Sequence, residues 1–191
     1  MKEINILQKT SELAMYLTLA YVNKGDTVLD ATCGNGHDTL SLAKACGNSG
    51  KVIAMDIQNK AIYNTKRRLE EKGILNTFFI QDNFINMDQY AEEGSLSAIV
   101  FNLGYMPGED KRITTIAQDT IKAIEKALFL IKVGGVITIT MYPGHSEGRS
   151  EKNAILKMAA TLSPSIYHCV YMDMHNQSQT APCILAITKK K

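Results

Sequence analysis

The sequence predicts an α/β fold with a mostly parallel seven-stranded sheet, helices on both faces and a C-terminal antiparallel hairpin. Three observations predict it. Short β-branched and apolar runs alternate with longer stretches of helical spacing along most of the chain. The run Ala98 to Phe101 is apolar without a break, as a strand buried on both faces requires. The last two strand-like segments are joined by a polar loop with no helix between them, which suits an antiparallel hairpin.

From Ile4 to Tyr21 the apolar residues Ile6, Leu7, Leu13, Ala14, Leu17 and Ala20 fall at helical spacing, with Thr10-Ser11-Glu12 placed to cap the main part. Gly25-Asp26 turns the chain into a buried strand, Thr27 to Ala31. His37 to Ala45 is the next helix, stopped near Gly47. Lys51 to Asp56 forms the second strand, and the amphipathic stretch from Asn59 to Glu71, closed at Gly73, forms its helix. Strands are expected at Thr77 to Gln81 and Leu96 to Asn102. A helix from Thr114 to Ile131 ends at Gly134-Gly135, before the β-branched strand Val136 to Met141. A helix from Glu147 to Leu162 and strands from Ser165 to Asp173 and Pro182 to Thr188 complete the chain.

A chain of 191 residues fits one domain with a single large core. With 45% hydrophobic and 21% charged residues, the composition is that of an ordinary globular protein and excludes disordered and fibrous classes. Polar residues interrupt every run well short of the ~20 apolar residues of a membrane span. The start, Met1-Lys2-Glu3-Ile4-Asn5, has no signal-peptide pattern, so a cytoplasmic location is the default expectation. Cys33, Cys46, Cys169 and Cys183 show neither a C-x-x-C pair nor metal-ligand spacing, and free thiols are expected. A net charge of +2 permits nucleic acid as a partner without arguing for it.

In a parallel sheet of this kind, ligands bind outside the carboxyl ends of the strands. The first strand ends in Asp30-x-x-x-Gly34-x-Gly36 and runs into a helix. The two glycines allow a tight turn and close backbone approach. The helix amides at His37 and Asp38 favour a ligand carboxylate, and Asp30 is placed to accept from a ligand ammonium. Together these suit the amino-acid part of S-adenosylmethionine. Asp56, at the end of the second strand and 20 residues beyond Gly36, suits ribose hydroxyls, with Gln58 adding a further bond. Asp82 ends the third strand, where it is expected to accept from the adenine amine, with Asn83 at the ring's edge. A nicotinamide-dependent dehydrogenase shares the glycine loop and the distant acid. It would need a third small residue at position 39, which is Thr, and Asp30 would repel a pyrophosphate.

The fourth strand ends in Phe101-Asn102-Leu103-Gly104-Tyr105-Met106-Pro107-Gly108. This resembles the (Asp/Asn)-Pro-Pro-(Tyr/Phe) signature of enzymes that methylate planar amines, with Leu103-Gly104 in place of Pro-Pro. The fifth strand ends in Tyr142-Pro143-Gly144-His145-Ser146-Glu147-Gly148, where Tyr and His are placed to stack on a base or relay a proton. His145 also suits a simpler role, capping the next helix. The combined set D-A-T-C-G-N-G-H-D-T, N-L-G-Y-x-P-G-x-D-K and Y-P-G-H-x-E-G resembles a bacterial family of small Rossmann-like class I methyltransferases. That family was first described as rRNA methylases and is associated with methylating the 5-aminomethyl group of wobble 2-thiouridine in tRNA.

The resemblance spans nearly the whole chain, taken as one domain over residues 1–191. It implies that S-adenosylmethionine is bound by residues Asp30 to Asp38 (Thr32, Gly34, Asn35, Gly36 and His37 among them), and by Asp56, Gln58 and Asp82. It puts Asn102, Tyr105 and His145 on the acceptor side. On this reading Asn102 and the Leu103 carbonyl orient the amine beside Gly104, while Tyr105 and Tyr142 hold the base. His145 takes the proton, with Asp110 or solvent as substitutes, and no metal is needed. Lys111, Arg112, Arg149, Lys152 and the tail Lys189-Lys190-Lys191 are candidate phosphate contacts. The tRNA substrate comes from the resemblance, not from composition, and the one domain, or a homodimer of it, would hold the anticodon arm. The competing functions are methylation of an rRNA base or a small-molecule amine, and cofactor binding without catalysis.

Overall fold

Seven strands form one sheet in the order β3-β2-β1-β4-β5-β7-β6 in this computed structural model, which describes residues 7–104 and 115–191. The strands are β1 (Thr27–Asp30), β2 (Lys51–Asp56), β3 (Thr77–Gln81), β4 (Leu96–Asn102), β5 (Ile131–Met141), β6 (Tyr167–Met172) and β7 (Cys183–Lys189). The first five pair in parallel, and β7 lies antiparallel between β5 and β6, as the missing helix predicts. This is the mostly parallel seven-stranded sheet with a closing antiparallel hairpin that the alternation predicts, and the Rossmann-like arrangement that the family resemblance implies.

Side chains alternate across the sheet and separate two cores. On one face Val28, Val52, Ala98 and Val100 pack against Met15, Leu42 and Leu69. These come from α1 (Thr10–Leu19), α2 (His37–Cys46) and α3 (Asn59–Glu70). On the other face Leu29, Ile53, Ile99 and Phe101 meet Met87, Ile124 and Ile155. Those belong to a 3-10 helix (Phe84–Gln89), α4 (Ala117–Leu130) and α5 (Ser146–Ala159).

Several expectations need correction. Residues 4–6 of the first predicted helix lie outside the described residues. Its N-cap is Lys9, and Thr10 donates its hydroxyl to the Pro182 carbonyl (3.3 Å) instead of capping. The fourth helix ends at Leu130, and β5 begins at once with Ile131, paired to Leu96. Gly134 therefore lies within the strand, at φ +78°, near an irregularity in the β4–β5 register, and does not terminate the helix. The 3-10 helix was not foreseen. All four cysteines are free, with Cys33, Cys46 and Cys183 buried and Cys169 exposed. Among the described residues no helix is long and apolar enough to cross a membrane.

After β1 the chain adds β2 and β3 on one side, and β4 lies on the other side of β1. The crevice at this switch point falls at the carboxyl ends of β1 and β4, beside Asp30 and Asn102.

Candidate active site

The β1–α2 loop is fixed by backbone geometry that only glycine tolerates well. Gly34 (φ +51°) and Gly36 (φ +76°) are left-handed, and a Cβ on Gly36 would lie 2.8 Å from the Thr65 Cα of α3. Gly36 occupies the N-cap of α2 and supplies no side-chain cap. The first amides of the helix thus lack a side-chain acceptor from the capping position, as an anion-binding terminus requires.

Asp30 is fully buried rather than presented to the crevice. Its carboxylate accepts from the Thr39 hydroxyl (2.6 Å) and the Thr32 amide (3.2 Å). Burial first, then the charge of Asp38, pushes its carboxyl up to about 7. In this structure its bonds organise the loop, and a ligand ammonium would feel its charge through space. Asn35 faces α3, where its side chain accepts from Asn64 (3.1 Å) and its carbonyl from the Arg68 Nε (2.6 Å). His37 is exposed at the start of α2.

At the end of β2, Asp56 accepts from the Gly34 amide (3.0 Å) and the Gln58 amide (2.9 Å), tying the glycine loop to the neighbouring strand. Each carboxylate oxygen keeps a second lone pair for a ligand hydroxyl. Burial raises the Asp56 carboxyl, against the pull of these amides. Gln58 sits at the α3 N-cap without a side-chain capping bond. Beside it Ile57 is 58% exposed, a large apolar side chain that the sequence reading did not single out.

Asp82 is heavily engaged. It accepts from the Asn83 amide (2.7 Å), the Asn86 side chain (2.9 Å) and the Tyr90 hydroxyl (2.8 Å), and these bonds hold its carboxyl below the usual range. The Asn83 side chain accepts from the Ile85 amide (3.0 Å) and caps the 3-10 helix. Both residues expected at adenine thus have local structural work, and an adenine contact would have to share Asp82 with its own loop.

On the acceptor side, β4 delivers Asn102 to the crevice. Its backbone amide donates to the Thr32 hydroxyl (2.7 Å), and its side-chain Nδ2 donates to Asp38. Its Oδ1 is buried and has no hydrogen-bond partner. Burial raises the Asp38 carboxyl, opposed by the Asn102 bond and by His37. Tyr142, at the end of β5, has its phenol raised by burial and by the Asp38 charge, which places the two groups near each other. Leu103 is buried and donates its amide to the Thr140 carbonyl (3.0 Å). Gly104 (φ +112°) donates to the Thr115 hydroxyl (2.8 Å).

The sequence reading missed Glu151, which is 3% exposed and accepts from Thr115 (2.9 Å) and Thr120 (2.5 Å). His145 caps α5, its Nδ1 accepting from the Gly148 amide (3.1 Å). The same Nδ1 lies 3.3 Å from the Glu147 carboxylate, so the ring is held at the start of α5 by both groups. His145 thus takes the capping role that its position also suited. Tyr105, Asp110, Lys111 and Arg112 lie outside the described residues. Lys189 donates to the carbonyls of Leu128 (3.2 Å) and Ile131 (3.1 Å), and Lys190 to that of Pro164, so these two serve the fold. Lys152 lies 5.5 Å from the centre of the Tyr171 ring.

Residues 52–188 match the family described as "Putative rRNA methylase". A protein of Arabidopsis thaliana named "tRNA (mnm(5)s(2)U34)-methyltransferase, chloroplastic" is 34% identical over 96% of this chain and 70% of its own length. The chain belongs to this family of S-adenosylmethionine-dependent methyltransferases. A crystal structure of a "putative rRNA-methylase from Clostridium thermocellum" superposes with a TM-score of 0.91 at 36% identity, covering 95% of this chain and 97% of that one. A Streptococcus mutans "putative methyltransferase", solved in complex with SAH, gives 0.85 at 31% identity, covering 95% and 98%. A second family, protein-L-isoaspartate(D-aspartate) O-methyltransferase, matches residues 4–92, the stretch that ends beyond β3 and carries the glycine loop. The methyltransferase reading is therefore favoured over the dehydrogenase.

Proposed function

We propose that this methyltransferase transfers a methyl group to the primary amine of 5-aminomethyl-2-thiouridine at the wobble position of tRNA, acting as a single cytoplasmic domain over residues 1–191. The observation that carries the amine is Asn102, whose Nδ2 is held by Asp38 while its buried Oδ1 has no partner. A buried acceptor without a donor is costly, about 1–3 kcal/mol, and a substrate N–H would relieve that cost. The resemblance of the Asn102 loop to the amine-methylating signature and the similarity to the Arabidopsis tRNA (mnm(5)s(2)U34)-methyltransferase support the same substrate.

S-adenosylmethionine supplies an electrophilic methyl group on its sulfonium. The uncapped start of α2 suits the cofactor's carboxylate, with the buried Asp30 charge favouring its ammonium. Thr32 and the left-handed Gly34 and Gly36 shape that loop, which Asn35 braces against α3. Asp56 and Gln58 suit the ribose, with the exposed Ile57 as an apolar wall beside them. Asp82 and Asn83 would act there mainly by holding the 3-10 helix in place.

On the acceptor side Asn102 Oδ1 accepts one N–H of the neutral amine and aims the nitrogen lone pair along the line of displacement. The Leu103 carbonyl and Gly104 border the position, and Tyr142, together with Tyr105, holds the base. An alkylamine is mostly protonated near neutral pH, so a proton must leave before attack. With the His145 Nδ1 engaged at the start of α5, solvent or Asp110 is the proposed acceptor. Lys111, Arg112, Arg149 and Lys152 are the cations proposed to meet the anticodon-arm phosphates, from one domain or from a homodimer.

The test is Asn102→Ala, assayed in single turnover on tRNA that carries the unmethylated amine, with nucleoside mass spectrometry of the product. The rate should drop about a hundredfold or more while S-adenosylhomocysteine affinity stays within a few fold, the pattern of an interaction made mainly in the transition state. A well-folded Asn102→Ala with wild-type turnover would sink the assignment. Methylation of an rRNA fragment or a free amine in preference to this tRNA would move the substrate.

A further inference from the structure

A carboxamide has nearly the same shape in either of its two flips, so only its bonding partners decide which end meets a substrate. For Asn102 that decision falls to Asp38. An ionised carboxylate only accepts, so it must face Nδ2, and Oδ1 is then left buried and without a partner. The backbone is pinned as well, through the Thr32 hydroxyl on the Asn102 amide (2.7 Å). Asp38 is itself held in register, because it sits one residue after His37 at the start of α2. The preceding Gly36 packs against Thr65 too closely for a Cβ. The groups that face Asp38 are Asp30 from β1, Tyr142 from the end of β5 and His37 on its own helix. Its place at the helix start and the family resemblance both put Asp38 with the cofactor.

We propose that Asp38 is a positioning residue of the acceptor site: its carboxylate locks the Asn102 amide with Oδ1 toward the incoming amine. This rests on the reading of Asn102 given above. Protonated Asp38 would become a donor able to face either end of the amide, so the lock requires the ionised form. Burial raises the Asp38 carboxyl, which brings loss of the lock closer to neutral pH than for an exposed aspartate.

The experiment is a double-mutant cycle on the full chain, using single-turnover methylation of tRNA from a strain lacking the gene, with S-adenosylhomocysteine binding measured by calorimetry. Asp38→Ala should slow methyl transfer at least tenfold with cofactor affinity within threefold of wild type. The same change on an Asn102→Ala background should cost nothing further, since it acts through that side chain. Asp38→Asn keeps an acceptor oxygen and should recover part of the rate, without the acid-side fall that wild type shows. The Asn102 side-chain NH2 signal, assigned by its loss in Asn102→Ala, reads the lock without substrate. Its protons should exchange slowly in wild type and rapidly in Asp38→Ala, and unchanged exchange overturns the proposal.

Loss of cofactor affinity in proportion to rate, or multiplicative effects in the double variant, would return Asp38 to the cofactor side and overturn the lock while leaving Asn102 in place. Wild-type turnover in Asn102→Ala would instead remove the reading beneath it, and this proposal with it.

Discussion

Asp30→Asn should make the protein more stable at alkaline pH and change little at acid pH. Asp30 is completely buried, and burial together with the Asp38 charge pushes its carboxyl from an ordinary 3.8 up to about 7. Between those values the native state keeps a proton that the unfolded chain has lost. Stability therefore falls as pH rises through the window, with none of the cost present below about 4 and all of it above about 7. At ~1.36 kcal/mol per pKa unit the whole cost is about 4 kcal/mol, and roughly two-thirds of it falls between pH 5 and 8.5. Asparagine keeps the shape. Its Oδ1 can accept from the Thr32 amide and its Nδ2 can donate to the Thr39 hydroxyl, which loses its own acceptor at a cost of about 1 kcal/mol at every pH. The gap in unfolding free energy, variant minus wild type, should thus widen by about 2–3 kcal/mol from pH 5 to 8.5. Nearly all of the change falls below about pH 7.5. Urea unfolding of both proteins across this range measures it, since groups common to both cancel in the difference. Saturating S-adenosylhomocysteine should narrow the gap, because its ammonium lowers the cost of the buried charge. A gap that does not move with pH would refute the reasoning.

Asp56→Ala should weaken S-adenosylhomocysteine binding by about 1–3 kcal/mol in calorimetry, because the ribose hydroxyls would have no acceptor there and the Gly34 amide would be loosened. Unchanged affinity would remove Asp56 from the cofactor site. Gly36→Ala combines a left-handed backbone with a Cβ 2.8 Å from the Thr65 Cα, and should cost at least about 2 kcal/mol in a denaturant melt. A variant as stable as wild type would mean that α3 yields at that position. Binding of tRNA should fall steeply with salt while cofactor binding does not. Charge reversal at Lys111 and Arg112 should lower the slope by about one for each phosphate that is no longer neutralised. A flat salt dependence would favour a small-molecule acceptor.

Elements whose identity follows from local pattern were legible. Strands β1 to β4 and helices α2 and α3 agree with their sequence limits within one residue, since each has its own periodicity and a glycine or polar stop. The start of β5 was not legible. Ile131 to Val133 continues an apolar helical pattern, and only its pairing with Leu96 across the sheet makes it a strand. The 3-10 helix is set by an Asn83 cap and three donors to Asp82, whose meeting depends on chain geometry beyond β3. The strand-end acids were readable as a group, because topology alone brings them to one edge. Their individual partners were not. Asp56 accepts from two backbone amides, one of them in the glycine loop, Asp30 is sealed in the core and Asp82 is spent largely on its own loop. A carboxylate in a sequence does not record whether a ligand or the protein supplies its donors.

Glu151 shows the opposite case, a signal present in the sequence and passed over. In Ser150-Glu151-Lys152 it has polar neighbours and looks like a solvated helix face. Yet Gly148, Glu151, Ile155 and Ala159 fall at spacings of three and four, and all four are buried on one side of α5. A glutamate on that stripe must find donors, and it finds the hydroxyls of Thr115 and Thr120. Thr115 in turn accepts from the Gly104 amide and donates its own amide to the Gly104 carbonyl (3.1 Å). The buried acid thus fixes the join between Gly104, two residues after Asn102, and the start of α4. Asn102 is therefore bonded through its side chain to Asp38, and the chain two residues beyond it is bonded through Thr115 to Glu151. Asp38 comes from α2 and Glu151 from α5, helices whose apolar side chains pack on opposite faces of the sheet, so the region of the β1–β4 switch point is braced from both layers.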